Sequence, residues 1–231
     1  MKNSIIEIGE ETINPTKIIC IGTNYMDHIE ETKLEVPKEP VLFPKTLNCL
    51  IPNGEPIIIP QWIFNNRKYN RVDYEVELAF IIKDKCKYVK ANEAYDHILG
   101  YTIFNDITAR KIQVKDIASR LPWFRSKALD TFGPIGPRIV SHPEIEDPHN
   151  LNIELKLNGE IKQSSNTKHL LFKIPELLEN ISQFFTMEPG DIVATGTPSG
   201  IGPIKPGDIL EASIEKIGTL SNKVVLEEVV S

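Results

Sequence analysis

The stretch RVDYEVELAF, Arg71 to Phe80, sets Asp73, Glu75 and Glu77 two residues apart, with Tyr74, Val76 and Leu78 on the alternate positions. Residues two apart in a strand face the same way, so the three acids would stand in one row and the apolar residues would face the other side. An ordinary half-buried strand with a solvated face alternates in the same manner. Like charges in a row repel, however, and a divalent cation taking carboxylate oxygens as ligands would turn that repulsion into attraction. The cation would need a further ligand. Asp106, which ends the apolar run of GYTIFND, is the candidate, and the alternative for an acid in that place is a helix cap. Glu75, Glu77 and Asp106 offer oxygen ligands only, which suits Mg²⁺ or Mn²⁺ and does not favour zinc. Asp73 would then act as an acceptor behind the ligands.

Three other segments carry chemically useful residues. His28 and Glu31, in NYMDHIEET, are spaced so that a helical turn brings an imidazole and a carboxylate onto one face. That pair could serve as a general base activating water, or be an exposed histidine with a casual acidic neighbour. In ATGTPSGIG, Ala194 to Gly202, the glycines Gly196, Gly200 and Gly202 would let backbone N–H groups approach an anion, with Thr195, Thr197 and Ser199 adding hydroxyls. The segment lacks the GxxxxGK[ST] pattern of a nucleotide phosphate loop, and a tight structural turn is the other reading. Lys127, in WFRSKALDTFGPIGP, is either surface charge or an electrophile beside the metal. His97, His142, His149 and His169 have no spacing that points to chemistry.

The elements that must position these residues are mostly short strands. Lys17 to Ile21, Glu75 to Ile82, Asn152 to Leu157, Ile192 to Thr195, Leu210 to Ile214 and Val224 to Val229 are rich in β-branched or apolar residues and are bounded by turn formers. Helices are expected after Asn92, with Gly100 as the stop, from Asp106 or Thr108 towards Arg120, and through KIPELLENISQFF, whose apolar residues recur at helical spacing. Pro-Gly turns recur in EPGDIVATG and KPGDILEAS, and Asn158-Gly159 marks a hairpin. The fold class is therefore a β-rich α+β fold. It is either one domain throughout or a small lobe at 1–50, carrying a lid segment, followed by a catalytic domain at 51–231.

Composition limits the partners. A formal net charge of −6 argues against nucleic acid or an anionic membrane surface, and the N-terminus offers neither a signal peptide nor a spanning helix. A cytoplasmic protein with a small-molecule ligand is expected. Three cysteines without a CxxC spacing fit buried thiols in a reducing compartment.

In order along the chain, IGTNYMDHIEE, VLFPK, DYEVELAF, GYTIFNDITAR, SKALDTFGPIGP, LNGEIKQ and EPGDIVATGTPSGIG resemble the fumarylacetoacetate hydrolase family from about Lys17 to Leu226. The resemblance implies a mixed, strongly curved β-roll with peripheral helices, assembled as a homodimer. It places Glu75, Glu77 and Asp106 on the metal ligands, with Mg²⁺ or Mn²⁺ as cofactor and Ca²⁺ able to fill the same site in a crystal. His28 and Glu31 fall on a catalytic dyad in a lid, Lys127 on the active-site lysine, Arg110 and Gln113 on substrate-site residues, and Thr197 with Gly196 on the TGTP segment that holds a substrate carboxylate. The implied activity is cleavage of a C–C bond in a β-diketo acid such as an acylpyruvate, through a metal-stabilised enolate. Decarboxylation or tautomerisation of oxaloacetate, and isomerisation of a hydroxydienedioate, are alternatives on the same site, and a non-catalytic metal- or metabolite-binding protein is an alternative of another class. Thr23, KTLNCL after Pro44, and Ala128-Leu129 depart from the family pattern around the expected pocket, at Thr23, Leu47 and Leu129 above all.

Overall fold

Runs of β-branched residues build the centre of the molecule. In the computed structural model, which describes residues 5–26 and 36–228, the strands Ile18–Gly22, Val76–Ile82 and Ile192–Ala194 are buried at nearly every position, as strands covered on both faces must be. They lie inside a seven-stranded sheet whose order is Val41–Lys45, Ile18–Gly22, Ile192–Ala194, Val76–Ile82, Ile98–Asn105, Gly133–Ser141 and Leu50–Ile51. Ile192–Ala194 runs parallel to Ile18–Gly22 and antiparallel to Val76–Ile82, so the sheet is mixed. A five-stranded sheet packs with it, ordered Glu160–Asn166, Asn152–Leu157, Ile209–Ile214, Gly218–Leu226 and Ile57–Ile59. A three-stranded sheet of Thr108–Ala109, Val72–Tyr74 and Gly202–Ile204 joins at one end. The result is a strand-rich α+β fold with a curled, half-barrel sheet and few helices.

Both faces of Val76–Ile82 are core. Val76, Leu78, Phe80 and Ile82 point into the main apolar cluster, whereas Ala79 and Ile81 point into a second one with Ile18, Cys20 and Phe104. The acidic row of Asp73, Glu75 and Glu77 is the continuation of the Ala79–Ile81 side beyond the apolar residues. It is not a solvated strand face, for Asp73, Glu75 and Glu77 are all buried.

The helix Ile174–Phe184 forms where its periodicity predicts, with Ile174, Leu177, Leu178 and Ile181 buried. Phe184, the last residue of the helix, and Phe185, where the chain turns extended, are exposed. Two helix expectations need correction. Ala91–His97 is a 3₁₀ segment running directly into the strand Ile98–Asn105, and Gly100 lies in that strand. Gly100 is needed there for close approach, since a Cβ would collide with Val140 O. The other helix starts only at Arg110, because Thr108–Ala109 is held as a strand against Val72 and Asp73. The Pro-Gly turns close as expected, with Asp191 N–H donating to Glu188 O at 3.0 Å and Asp208 N–H to Lys205 O at 3.1 Å. All three cysteines are free and buried. Among the described residues no helix is long and apolar enough to cross a membrane.

Candidate active site

Sheet register assembles the carboxylates. Val76 pairs with Asn105 and Glu77 with Phe104. One step earlier, Asp106 N–H donates to Glu75 O at 2.8 Å and Glu75 N–H donates to Asn105 Oδ1 at 3.0 Å. Glu75 therefore faces Asp106 across the strand pair, with Glu77 next along on the same side. Oxygens from the three carboxylates lie within 4.8 Å of one another, and the residues are 5%, 1% and 0% exposed in the order Glu75, Glu77, Asp106. Asp106 is not a helix cap. Its oxygens go to Lys45 Nζ at 2.6 Å and to Lys127.

Three buried or nearly buried cations face this cluster. Lys127, at the end of the short helix Phe124–Lys127, donates to Glu75 Oε2 at 2.7 Å and also to Asp106. Arg110, the first residue of the helix Arg110–Ala118, bonds Glu75, donates to Asp73 Oδ2 at 2.8 Å and reaches Gln113 Oε1 at 2.5 Å. Asp73 also takes a fork from Arg71, at 2.9 and 3.1 Å. Asp73 thus supports Arg110 from behind. Burial works against the charge of Lys127, yet Asp106 and Glu75 outweigh it and raise its pKa. Arg110 is likewise raised, by Glu75 and Asp73 against burial.

Glu77 differs from its neighbours. Among the described residues no lysine or arginine pairs with it, and its Oε2 accepts the Gly196 N–H at 2.8 Å. Burial, then the negative charges of Asp106 and Glu75, push it well above the usual carboxylate range. A buried carboxylate with no direct ion pair among the described residues, beside two others, is the arrangement a divalent cation stabilises, and an all-oxygen donor set fits Mg²⁺ or Mn²⁺.

The loop after Ile192–Ala194 is fixed by its own polar contacts. Thr195 donates to Leu78 O through both N–H and Oγ1, at 2.9 Å each, and Asn24 Nδ2 donates to Thr195 O at 2.8 Å. Gln163, fully buried, donates to Thr197 Oγ1 at 2.8 Å and accepts from Val76 N–H at 3.0 Å. Thr197 then faces a cavity of about 220 Å³ together with Glu75, Glu77, Asp106, Arg110, Gln113 and Lys127. The apolar side of this cavity is Phe43, Val114, Ile117, Trp123 and Ile201.

The sequence-derived set is thus brought together with three qualifications. His28 and Glu31 lie outside the described residues. Gly196 gives its N–H to Glu77, so its observed contact serves a carboxylate of the cluster. Of the three departures from the family pattern, Thr23 lines the cavity, whereas Leu129 lines a different one beside Trp62 and Leu47 a third beside Pro44. Lys45 and Gln163, the last residues of VLFPK and LNGEIKQ, also join the site, although neither stretch by itself assigns them a role. Lys45 shares the buried side of the strand Val41–Lys45 with Phe43, and Gln163 is the buried position of the strand Glu160–Asn166.

The family model described as "Fumarylacetoacetate (FAA) hydrolase C-terminal" matches residues 17–225. A mitochondrial oxaloacetate tautomerase of Xenopus laevis is 40% identical over 232 residues, covering 97% of this chain and 70% of that protein. Among solved structures, 2-hydroxyhepta-2,4-diene-1,7-dioate isomerase from Mycobacterium marinum matches with a TM-score of 0.81 at 38% identity, over 94% of this chain and 77% of that one. Fumarylpyruvate hydrolase from Pseudomonas aeruginosa, in complex with Mn²⁺ and pyruvate, matches with a TM-score of 0.88 at 27% identity, over 98% of each chain. These relatives share fold and family and differ in the reaction they are named for. The chain belongs to the fumarylacetoacetate hydrolase family of enzymes.

Proposed function

We propose that the chain is a divalent-cation-dependent enzyme that moves a proton on an enolisable 2-oxo acid, with tautomerisation of an oxaloacetate-type diacid as the leading reaction. The observation that carries this reading is the buried triad Glu75, Glu77 and Asp106, in one small cavity with Lys127, Arg110 and Thr197. Glu75, Glu77 and Asp106 would hold the cation, which when bound supplies Lewis acidity for the enolate charge of a chelating 2-oxo acid. Lys127, buried and kept charged by its acidic partners, stabilises negative charge developing on the substrate. Thr197 Oγ1 already accepts from Gln163, so its hydroxyl hydrogen is left to give to a substrate carboxylate. Gln113 Oε1 is taken by Arg110, which leaves its amide N–H groups for the ligand. A cavity of about 220 Å³ is below the range of roughly 300–1,000 Å³ usual for drug-sized ligands, and it suits a short acid. The 40% identity to an oxaloacetate tautomerase supports this choice of reaction.

A second reading, hydrolytic C–C cleavage of an acylpyruvate, is favoured by the end-to-end match to fumarylpyruvate hydrolase. There His28, assisted by Glu31, would take a proton from the attacking water. One assay separates the two. Protein stripped with EDTA is given oxaloacetate, an acylpyruvate and a hydroxydienedioate, with and without Mg²⁺ or Mn²⁺. Metal-restored keto–enol exchange of oxaloacetate without pyruvate release from the acylpyruvate is expected. Metal-dependent pyruvate release would favour the hydrolase, and no turnover on any of the three would overturn the enzyme reading.

A further inference from the structure

A second cluster of ligand-type side chains lies beyond the C-terminal end of the strand Val76–Ile82, whose other end carries Glu77. Asp84, Cys86 and His97 each offer one ligand atom, and these atoms lie within 4.8 Å of one another. The 3₁₀ segment Ala91–His97 returns the chain to this strand end, where Lys83 N–H donates to His97 O at 2.9 Å. Cys86 is held by reciprocal backbone bonds with Met187, at 3.0 and 2.9 Å. His97 Nδ1 lies 2.6 Å from Asp84 Oδ1, a contact that fixes the ring before any ion arrives. Burial first, then the negative charges of Asp84, Asp191 and Glu188, push the Cys86 thiol up to about 11, against Lys17. Asp84 and His97 are only partly buried, so an ion can reach the cluster.

We propose that Asp84, Cys86 and His97 form a second cation site, separate from the carboxylate triad and suited to a thiophilic, borderline ion of the Zn²⁺ class. Thiolate, imidazole and carboxylate form the mixed donor set such ions prefer, whereas Mg²⁺ and Mn²⁺ prefer the all-oxygen triad. Solvent completes the coordination, and the thiol proton leaves to solvent when the ion binds. An ion here ties the strand end to the 3₁₀ segment and, through Cys86, to Met187.

Co²⁺ reports the sulfur ligand directly. Full-length protein, stripped of metal and held in excess Mg²⁺, is titrated with Co²⁺ and followed in the near ultraviolet. A sulfur-to-cobalt charge-transfer band saturating at one equivalent and abolished by Zn²⁺ is expected. The band should vanish in Cys86→Ser and persist in Glu77→Gln. No band in the wild type, or an undiminished band in Cys86→Ser, would overturn the proposal. Should Cys86→Ser fail to fold, His97→Gln tests the same site: Zn²⁺ affinity should fall at least about tenfold, and unchanged affinity refutes the site.

Discussion

Glu75 accepts from both Lys127 and Arg110, so its charge is the hinge between the carboxylate triad and the cations that face it. Replacing it by Gln keeps the volume and removes the charge. Equilibrium dialysis of Glu75→Gln should show Mn²⁺ binding lost and metal-dependent turnover abolished, with the circular dichroism of the fold retained. Undiminished Mn²⁺ binding would remove Glu75 from the ligand set. Lys127→Met is expected to lower kcat roughly 10²-fold or more if the ammonium stabilises charge developing in the transition state. A change in KM alone would instead mean that Lys127 only binds substrate. At this scale the acids are legible in the sequence, because alternation in a strand is a local rule. Lys45 and Gln163 stand in the quoted stretches VLFPK and LNGEIKQ, but what they touch comes from which strands lie beside theirs, and that is a property of the sheet.

The elements show where local rules stop. Ile174–Phe184 and the Asn158-Gly159 hairpin are readable, since periodicity and turn chemistry act within a few residues. Gly133–Ser141 is not, because Pro134 and Pro137 argue against a strand, and only the neighbours Ile98–Asn105 and Leu50–Ile51 hold it as one. Two expectations belong to elements. Gly196 sits at φ +101, and a Cβ there would meet Asn24 Cβ at 2.9 Å. Gly196→Ala should therefore cost about 1–2 kcal/mol from backbone conformation alone, with a lowered Tm and weaker metal binding as the Glu77 contact shifts. The helix Ile174–Phe184 begins on a histidine: His149 Nε2 accepts the Ile174 N–H at 3.0 Å. Burial, then Lys173, lowers the His149 pKa, against Asp147 and Glu176. The unfolded chain thus takes up this proton at a higher pH than the native one does. Its contribution is whole above the ordinary value of about 6.5 and is lost as pH falls from there towards the folded value. Urea midpoints measured between about pH 7.5 and about pH 5.5 should fall less in His149→Gln than in the wild type. Equal slopes would show that the fold does not lower the His149 pKa.

Across the whole molecule, two strands from the first fifty residues are built into the central sheet of the rest. Ile18–Gly22 and Val41–Lys45 are strands of the sheet that carries Glu77, and Lys45 reaches Asp106 from the second of them. A chain starting at residue 51 would lose both strands and that contact. The 51–231 fragment is expected to show no cooperative thermal transition, where the full chain unfolds in one. A fragment with its own sharp Tm would refute this.

The cavity walls have two origins. Its charged floor comes from buried strands and from helix ends, Arg110 starting one helix and Lys127 closing another, whereas Val114 and Ile117, at 59% and 50% exposed, belong to the outward side of the helix Arg110–Ala118. Surface positions tolerate substitution far better than buried ones. A lineage using this scaffold can therefore explore new acids by changing residues that cost almost nothing to change, while the machinery beneath stays untouched. Tolerance at the rim and intolerance at the floor are a structural recipe for diversification.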